Sequence, residues 1–129
     1  MREVQVRTGS GKFGQKILAG PHQLNADEPR DAEGDDTGPV PHELLLAALG
    51  ACTSMTVKMY ADRKSWPLTG VDVRLNGRSG DSGFVIERSL SLSGDLSAEQ
   101  KARLVEIAEK CPVAKTLRGT IHISTVLAS

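Results

Sequence analysis

The spacing of apolar residues changes along the chain, and each change marks an element. Residues 2–7 alternate, with Val4 and Val6 between charged neighbours, which is the period of a strand. Together with residues 15–19 they predict a hairpin over residues 2–19, turning through the glycine-rich stretch 8–14. A polar stretch, residues 25–39, then holds Asp27, Glu28, Asp31, Glu33, Asp35 and Asp36, six of the sixteen acidic residues. Pro29, Gly34, Gly38 and Pro39 interrupt it, so it is expected to be a solvated surface loop.

A long helix follows, from about Pro41 to Arg63. Proline suits its first turn, Lys58 and Arg63 suit the negative end, and Trp66-Pro67 stops it. Residues 44–57 carry no charge, a run of fourteen against the roughly 20 that a membrane span needs. Apolar and small residues go all the way round this run, which predicts a helix buried on every side. In a chain this short a second subunit must then cover one face.

The rest reads as strand, strand, helix, short helix, strand. Val71, Val73 and Leu75 alternate with polar residues, as do Ile86, Leu90 and Leu92 beyond a turn at 79–83. Ser97 and Gln100 have the spacing of a capping box, and Leu104, Ile107, Ala108 and Cys111 then share one helical face. Pro112 ends that helix and opens a further turn, and Ile121, Ile123, Thr125 and Leu127 predict a final strand. The fold class is α+β: a mostly antiparallel sheet around a long buried central helix, in one domain over residues 1–129.

Composition narrows the chemistry. The 129 residues carry 16 basic and 16 acidic side chains and are only 3% aromatic, which argues against nucleic acid and anionic membrane as partners. The two cysteines are too few for a disulfide scaffold or a four-cysteine zinc site. His22, His42 and His122 stand far apart, so no metal is expected, and no phosphate-cradling loop or serine-nucleophile signature suggests a cofactor or acyl transfer. Residues 1–7 lack the apolar core of a secretory signal, and the expected compartment is the cytoplasm. There thiols stay reduced unless they are catalytic or redox-sensing.

Cys52 lies midway along the long helix and Cys111 at the junction of two later ones, too far apart for a CxxC motif. Both can be small buried hydrophobes. Cys111 has a local reason to be more, because Pro112 makes it the N-cap of a new helix, where free N–H groups favour a thiolate. Cys52 needs donors from outside its own helix.

Around both cysteines the sequence resembles the OsmC/Ohr family, the osmotically inducible and organic-hydroperoxide-resistance proteins. The segment GPVPHELLLAALGACT (residues 38–53) looks like the family signature. HQLNADEP (residues 22–29) fits a subgroup of OsmC-like proteins, and EKCPVAKTL (residues 109–117) is similar to the family's C-terminal motif. The resemblance implies an intertwined homodimer with active sites at the subunit interface. It also implies a thiol peroxidase acting on organic hydroperoxides, and on hydrogen peroxide, in oxidative or osmotic stress defence. Cys52 would then be peroxidatic, Cys111 resolving, and a dithiol the reductant.

The family also activates the thiolate with a glutamate and an arginine. The glutamate position falls on His42, with Glu43 one residue later, and the arginine position on Lys12, with Arg30 and Arg7 as other cations. Glu43 precedes Cys52 by nine residues, about 13.5 Å of helix rise and half a turn out of phase. It reaches Cys52 only from the other subunit or through a break in the helix; otherwise it is a first-turn carboxylate favouring the dipole. The competing readings are a non-catalytic protein holding a small ligand in an interface pocket, and a redox-sensing thiol protein.

Overall fold

The computed structural model describes residues 1–128, in two compact units: Met1–Leu45, and a second from Leu46 onward. In the first, strands β1 (Val4–Thr8) and β2 (Gln15–Ala19) form the expected hairpin, with Val6 opposite Ile17. A third antiparallel strand, β3 (His22–Ala26), pairs with β2 and places Leu24 opposite Ile17. The pattern did not announce β3. Four of its five residues are exposed and only two are apolar, so backbone pairing rather than burial makes it a strand.

The acidic stretch is irregular apart from a short 3-10 turn at Arg30–Ala32, but it is not simply solvated. Asp27 is only 2% exposed. Its carboxylate accepts the Thr37 hydroxyl at 2.7 Å, the Thr37 N–H at 3.2 Å and the Glu28 N–H at 2.7 Å, tying the two ends of the loop. The Thr37 hydroxyl does most to hold the Asp27 carboxyl below the ordinary carboxylate range; burial opposes it, and the backbone N–H groups add to the lowering. A depressed folded pKa stabilises the loop above the unfolded value, and that stability is lost as pH falls through the folded value. Acidification below about pH 4 is therefore expected to shift and broaden the Thr37 amide resonance in the wild type. In Asp27→Asn that dependence should vanish.

Helix α1 (Pro41–Arg63) starts in the first unit and runs unbroken through the second. Strands β4 (Leu68–Gly80) and β5 (Gly83–Gly94) form a long antiparallel hairpin, with Val73 opposite Leu90 and Leu75 opposite Arg88. Gly83 closes its turn at φ 128°, a conformation that a Cβ disfavours. Helix α2 (Ala98–Ala108) opens on a complete capping box: Ser97 Oγ accepts from the Gln100 N–H at 3.0 Å, and Gln100 Oε1 accepts from the Ser97 N–H at 2.9 Å. Helix α3 (Pro112–Arg118) starts at Pro112 with Cys111 as its N-cap. The class is α+β as expected, with two antiparallel sheets in place of one.

The core of the second unit joins α1 to α2 and the hairpin. Val57, Ala61, Leu68, Leu104 and Ala108 are buried together, with Val71, Leu90 and Leu92 packed on them. A second cluster gathers Leu49, Cys111 and Ala114, with Cys52, Leu75, Ile86 and Leu117 around it. Gly50 lets α1 approach β4 closely, since a Cβ there would sit 2.8 Å from Leu75 Cδ1.

Two expectations are not met within a single chain. Helix α1 is buried along one stripe, Leu49, Gly50, Thr53, Val57 and Ala61, so the burial expected on its other sides needs the second subunit. Met55 and Met59 on another face are each 61% exposed. One chain supplies one packing layer, which a stripe of four-residue period fills. By length and composition α1 is long and apolar enough to cross a membrane, but its stripe packs in this core.

The C-terminal segment does not form its expected strand either. Residues 120–128 have no regular structure, and Ile121, Ile123, Val126 and Leu127 are exposed. Alternation gives a strand its faces, but a strand also needs a neighbouring backbone to bond, and no described strand of this chain pairs with the segment.

Candidate active site

Three elements of the second unit converge on a pair of thiols. Cys111 ends the run from α2, and Pro112, with no N–H to lose, starts α3 immediately after it. The Cys111 backbone is extended (φ −64°, ψ 141°), which turns its side chain back over the first turn of α3. There Sγ accepts the Ala114 N–H at 3.4 Å. Cys52 comes from the middle of α1, and its Sγ accepts the Val113 N–H at 3.5 Å, one residue earlier on the same turn. The two sulfurs thus accept neighbouring N–H groups of one helical turn.

A cation, Arg88 of β5, reaches Cys111. Its side chain is only 10% exposed, and Nη1 donates to Cys111 Sγ at 3.8 Å and to Thr53 Oγ1 at 2.8 Å. Thr53 Oγ1 in turn donates to the Leu49 carbonyl at 2.7 Å and lies 3.8 Å from Cys111 Sγ. The other end of the guanidinium pairs with Glu109 at 3.3 Å, and Glu109 is gripped by Arg118 at 2.6 Å. A chain of charge thus runs from the exposed Arg118 through Glu109 and Arg88 to a fully buried sulfur.

Burial pushes the Cys111 thiol up, but the Ala114 N–H and the neighbouring Thr53, Cys52 and Arg88 side chains outweigh it and set its pKa below the ordinary thiol value. The Arg118 hydrogen bond does most to lower Glu109; burial opposes it, and the charges of Arg118 and Arg88 reinforce the lowering. Glu109 therefore stays ionised and holds Arg88 in place. The two sulfurs differ in access: Cys111 is fully buried, whereas Cys52 is partly exposed. Such a pair can pass between dithiol and disulfide, with the outer sulfur meeting reagents and the inner one held ready beneath it.

Both cysteines named from sequence meet here, and the N-cap reading of Cys111 holds. Glu43 lies in the first turn of α1, where its carboxylate accepts the Val40 N–H at 2.8 Å. The unbroken α1 removes a helix break as a route by which Glu43 acts on Cys52. Of the nominated cations, Lys12 pairs with Glu33 at 3.1 Å, and Arg7 and Arg30 lie on β1 and the 3-10 turn of the first unit. No motif points to Arg88, although it leaves a mark in the sequence. It shares parity with Ile86, Leu90 and Leu92, so an arginine stands at an inward position of an apolar strand face. Among the described residues, no group of three His, Cys, Asp or Glu side chains can hold a metal ion.

Comparison with known proteins agrees with this architecture. A family model described as OsmC-like protein matches residues 34–126, a span that includes both cysteines and Arg88. The crystal structure of an OsmC-like protein from Mycoplasma pneumoniae superposes with a TM-score of 0.79 at 17% identity, covering 92% of this chain and 88% of that one. The organic hydroperoxide resistance protein OhrB of Bacillus subtilis gives 0.65 at 25% identity, with 92% and 91% covered. An organic hydroperoxide resistance protein OsmC from Legionella pneumophila gives 0.64 at 19% identity, again with 92% and 91% covered. No curated protein matches the chain significantly.

Proposed function

Because the chain belongs to the OsmC family, we propose that it is a thiol-dependent peroxidase that reduces organic hydroperoxides in oxidative or osmotic stress defence in the cytoplasm. The observation that carries this reading is the convergence of the two thiols on adjacent N–H groups of α3, one thiol partly exposed and one buried against Arg88. In the first step the Cys52 thiolate attacks the terminal peroxide oxygen. The O–O bond breaks, the alkoxide leaves and takes a proton from solvent to become the alcohol, and Cys52 becomes a sulfenic acid. The Cys111 thiolate then attacks the Cys52 sulfur, hydroxide departs and is protonated by solvent to water, and a disulfide forms. A dithiol returns both cysteines to the reduced state and is itself oxidised to a disulfide.

The apolar surface around Cys52 favours bulky substrates. Cys52, Met55 and Met59 fall at offsets 0, 3 and 7 on α1, so the reachable sulfur shares a face with the two exposed methionines. The exposed methionines, with the open apolar residues Ile121, Ile123, Val126 and Leu127, support a homodimer with its active sites at the interface, the second copy forming a wall beside Cys52 without closing it off.

The test is steady-state turnover with dithiothreitol as reductant. Cumene hydroperoxide is expected to be consumed well above the uncatalysed rate and faster than hydrogen peroxide. A rate no better than without protein, together with a small molecule retained in native mass spectrometry, would replace the peroxidase reading with a ligand-binding one.

A further inference from the structure

The thiol pair is asymmetric in a way that bears on how its disulfide is reopened, a question that rests on the peroxidase reading but has its own chemistry. In thiol–disulfide exchange the attacking thiolate selects the sulfur it can reach, and the better-stabilised sulfur leaves. Access and stabilisation point the same way here. Cys111 has no exposed surface, and Cys52 is the partly exposed member of the pair. Cys111 also has the stronger donors: the Ala114 N–H at 3.4 Å and the charged Arg88 guanidinium at 3.8 Å, against the Val113 N–H at 3.5 Å and the neutral Thr56 hydroxyl at 4.0 Å for Cys52. Arg88 is not free to follow another partner, because Thr53 and Glu109 hold it at 2.8 and 3.3 Å.

We propose that the Cys52–Cys111 disulfide opens in one direction: the reductant attacks the Cys52 sulfur, and Cys111 departs as a thiolate onto the Arg88 and Ala114 donors. The reductant thiolate forms a bond to Cys52 Sγ, the S–S bond breaks, and its electron pair leaves on Cys111 Sγ. The product is a mixed disulfide on Cys52. The reductant's second thiol attacks its own sulfur in that mixed disulfide, releasing Cys52 as thiolate and leaving the reductant as a cyclic disulfide. Arg88 touches neither reductant nor peroxide in this step. It is a positioning residue for the leaving group, and Glu109 and Arg118 fix it from behind.

The experiment forms the disulfide with diamide, so that it does not depend on peroxide chemistry. The oxidised wild-type protein is treated with excess glutathione as a monothiol probe, quenched in acid within seconds, alkylated and peptide-mapped. Glutathione is expected on the Cys52 peptide, with Cys111 alkylated. Glutathione on Cys111, or no disulfide after diamide, overturns the proposal.

A second arm measures the rate at which dithiothreitol opens the disulfide in Arg88→Gln and Arg88→Lys, across pH. Arg88→Gln is expected to slow opening on the order of tenfold, and Arg88→Lys to recover part of the loss. Equal rates in wild type and Arg88→Gln overturn the role given to Arg88. If Arg88→Gln does not fold, the wild-type mapping still decides the direction. Correct mapping without peroxide turnover would count against the peroxidase reading while leaving this proposal intact.

Discussion

Cys52→Ser is expected to lower dithiol-dependent turnover of cumene hydroperoxide on the order of 10³-fold or more, without lowering the melting temperature appreciably. A serine hydroxyl at this position has no means of ionising near neutral pH, so attack on the peroxide oxygen stops. The fold should tolerate the change, because Cys52 lies at the edge of its cluster and its main contact, the Val113 N–H, can be accepted by an oxygen. Cys111→Ser should fail differently. Cys52 is still expected to consume one equivalent of hydroperoxide in a burst, after which turnover stops because no buried thiolate condenses with the sulfenic acid. The contrast between no burst and one burst separates the two roles, and a burst in Cys52→Ser would reverse them.

Leu104→Ala is the substitution expected to cost most in stability, about 2–5 kcal/mol. Leu104 is fully buried in α2, in one cluster with Val57 and Ala61 of α1, Leu68 and Ala108. Truncation removes apolar area and leaves a cavity at the point where α2 meets α1. Total stabilities of small domains are about 5–15 kcal/mol, so the variant should unfold at a clearly lower urea midpoint with the slope unchanged. A midpoint matching that of the wild type would mean that α2 does not carry the core. The consequence reaches the site, because α2 leads through Glu109 to Cys111.

What was legible in the sequence was mainly local. The limits of α1, the Ser97–Gln100 capping box and the N-cap position of Cys111 depend on residues within a turn of each other, and all appear in the structure. The features that escaped depend on partners distant in sequence. Strand β3 is made by pairing with β2 and has almost no apolar signal of its own. The division of the strands into two sheets is likewise set by pairing. Asp27 looked like one acid in a charged loop, and only Thr37, ten residues on, makes it a buried tie.

The site shows the same division. Two cysteines 59 positions apart could be named but not paired from spacing. The family resemblance places the cation for Cys52 at Lys12, with Arg30 and Arg7 as other cations. The guanidinium that reaches Cys111 comes from β5, whose parity places Arg88 among Ile86, Leu90 and Leu92. An arginine on an apolar strand face is costly unless something buried and polar receives it. Here Thr53, Cys111 and Glu109 do so.

The central claim is that Cys52 and Cys111 act as one redox unit. The most direct measurement adds a single equivalent of cumene hydroperoxide to fully reduced protein, blocks remaining thiols, and maps the peptides without reduction. The expected result is loss of both thiols together and one cross-linked species joining the Cys52 and Cys111 peptides. Recovery of Cys111 as a free thiol, with Cys52 either unreacted or oxidised to the sulfinic acid, would contradict it.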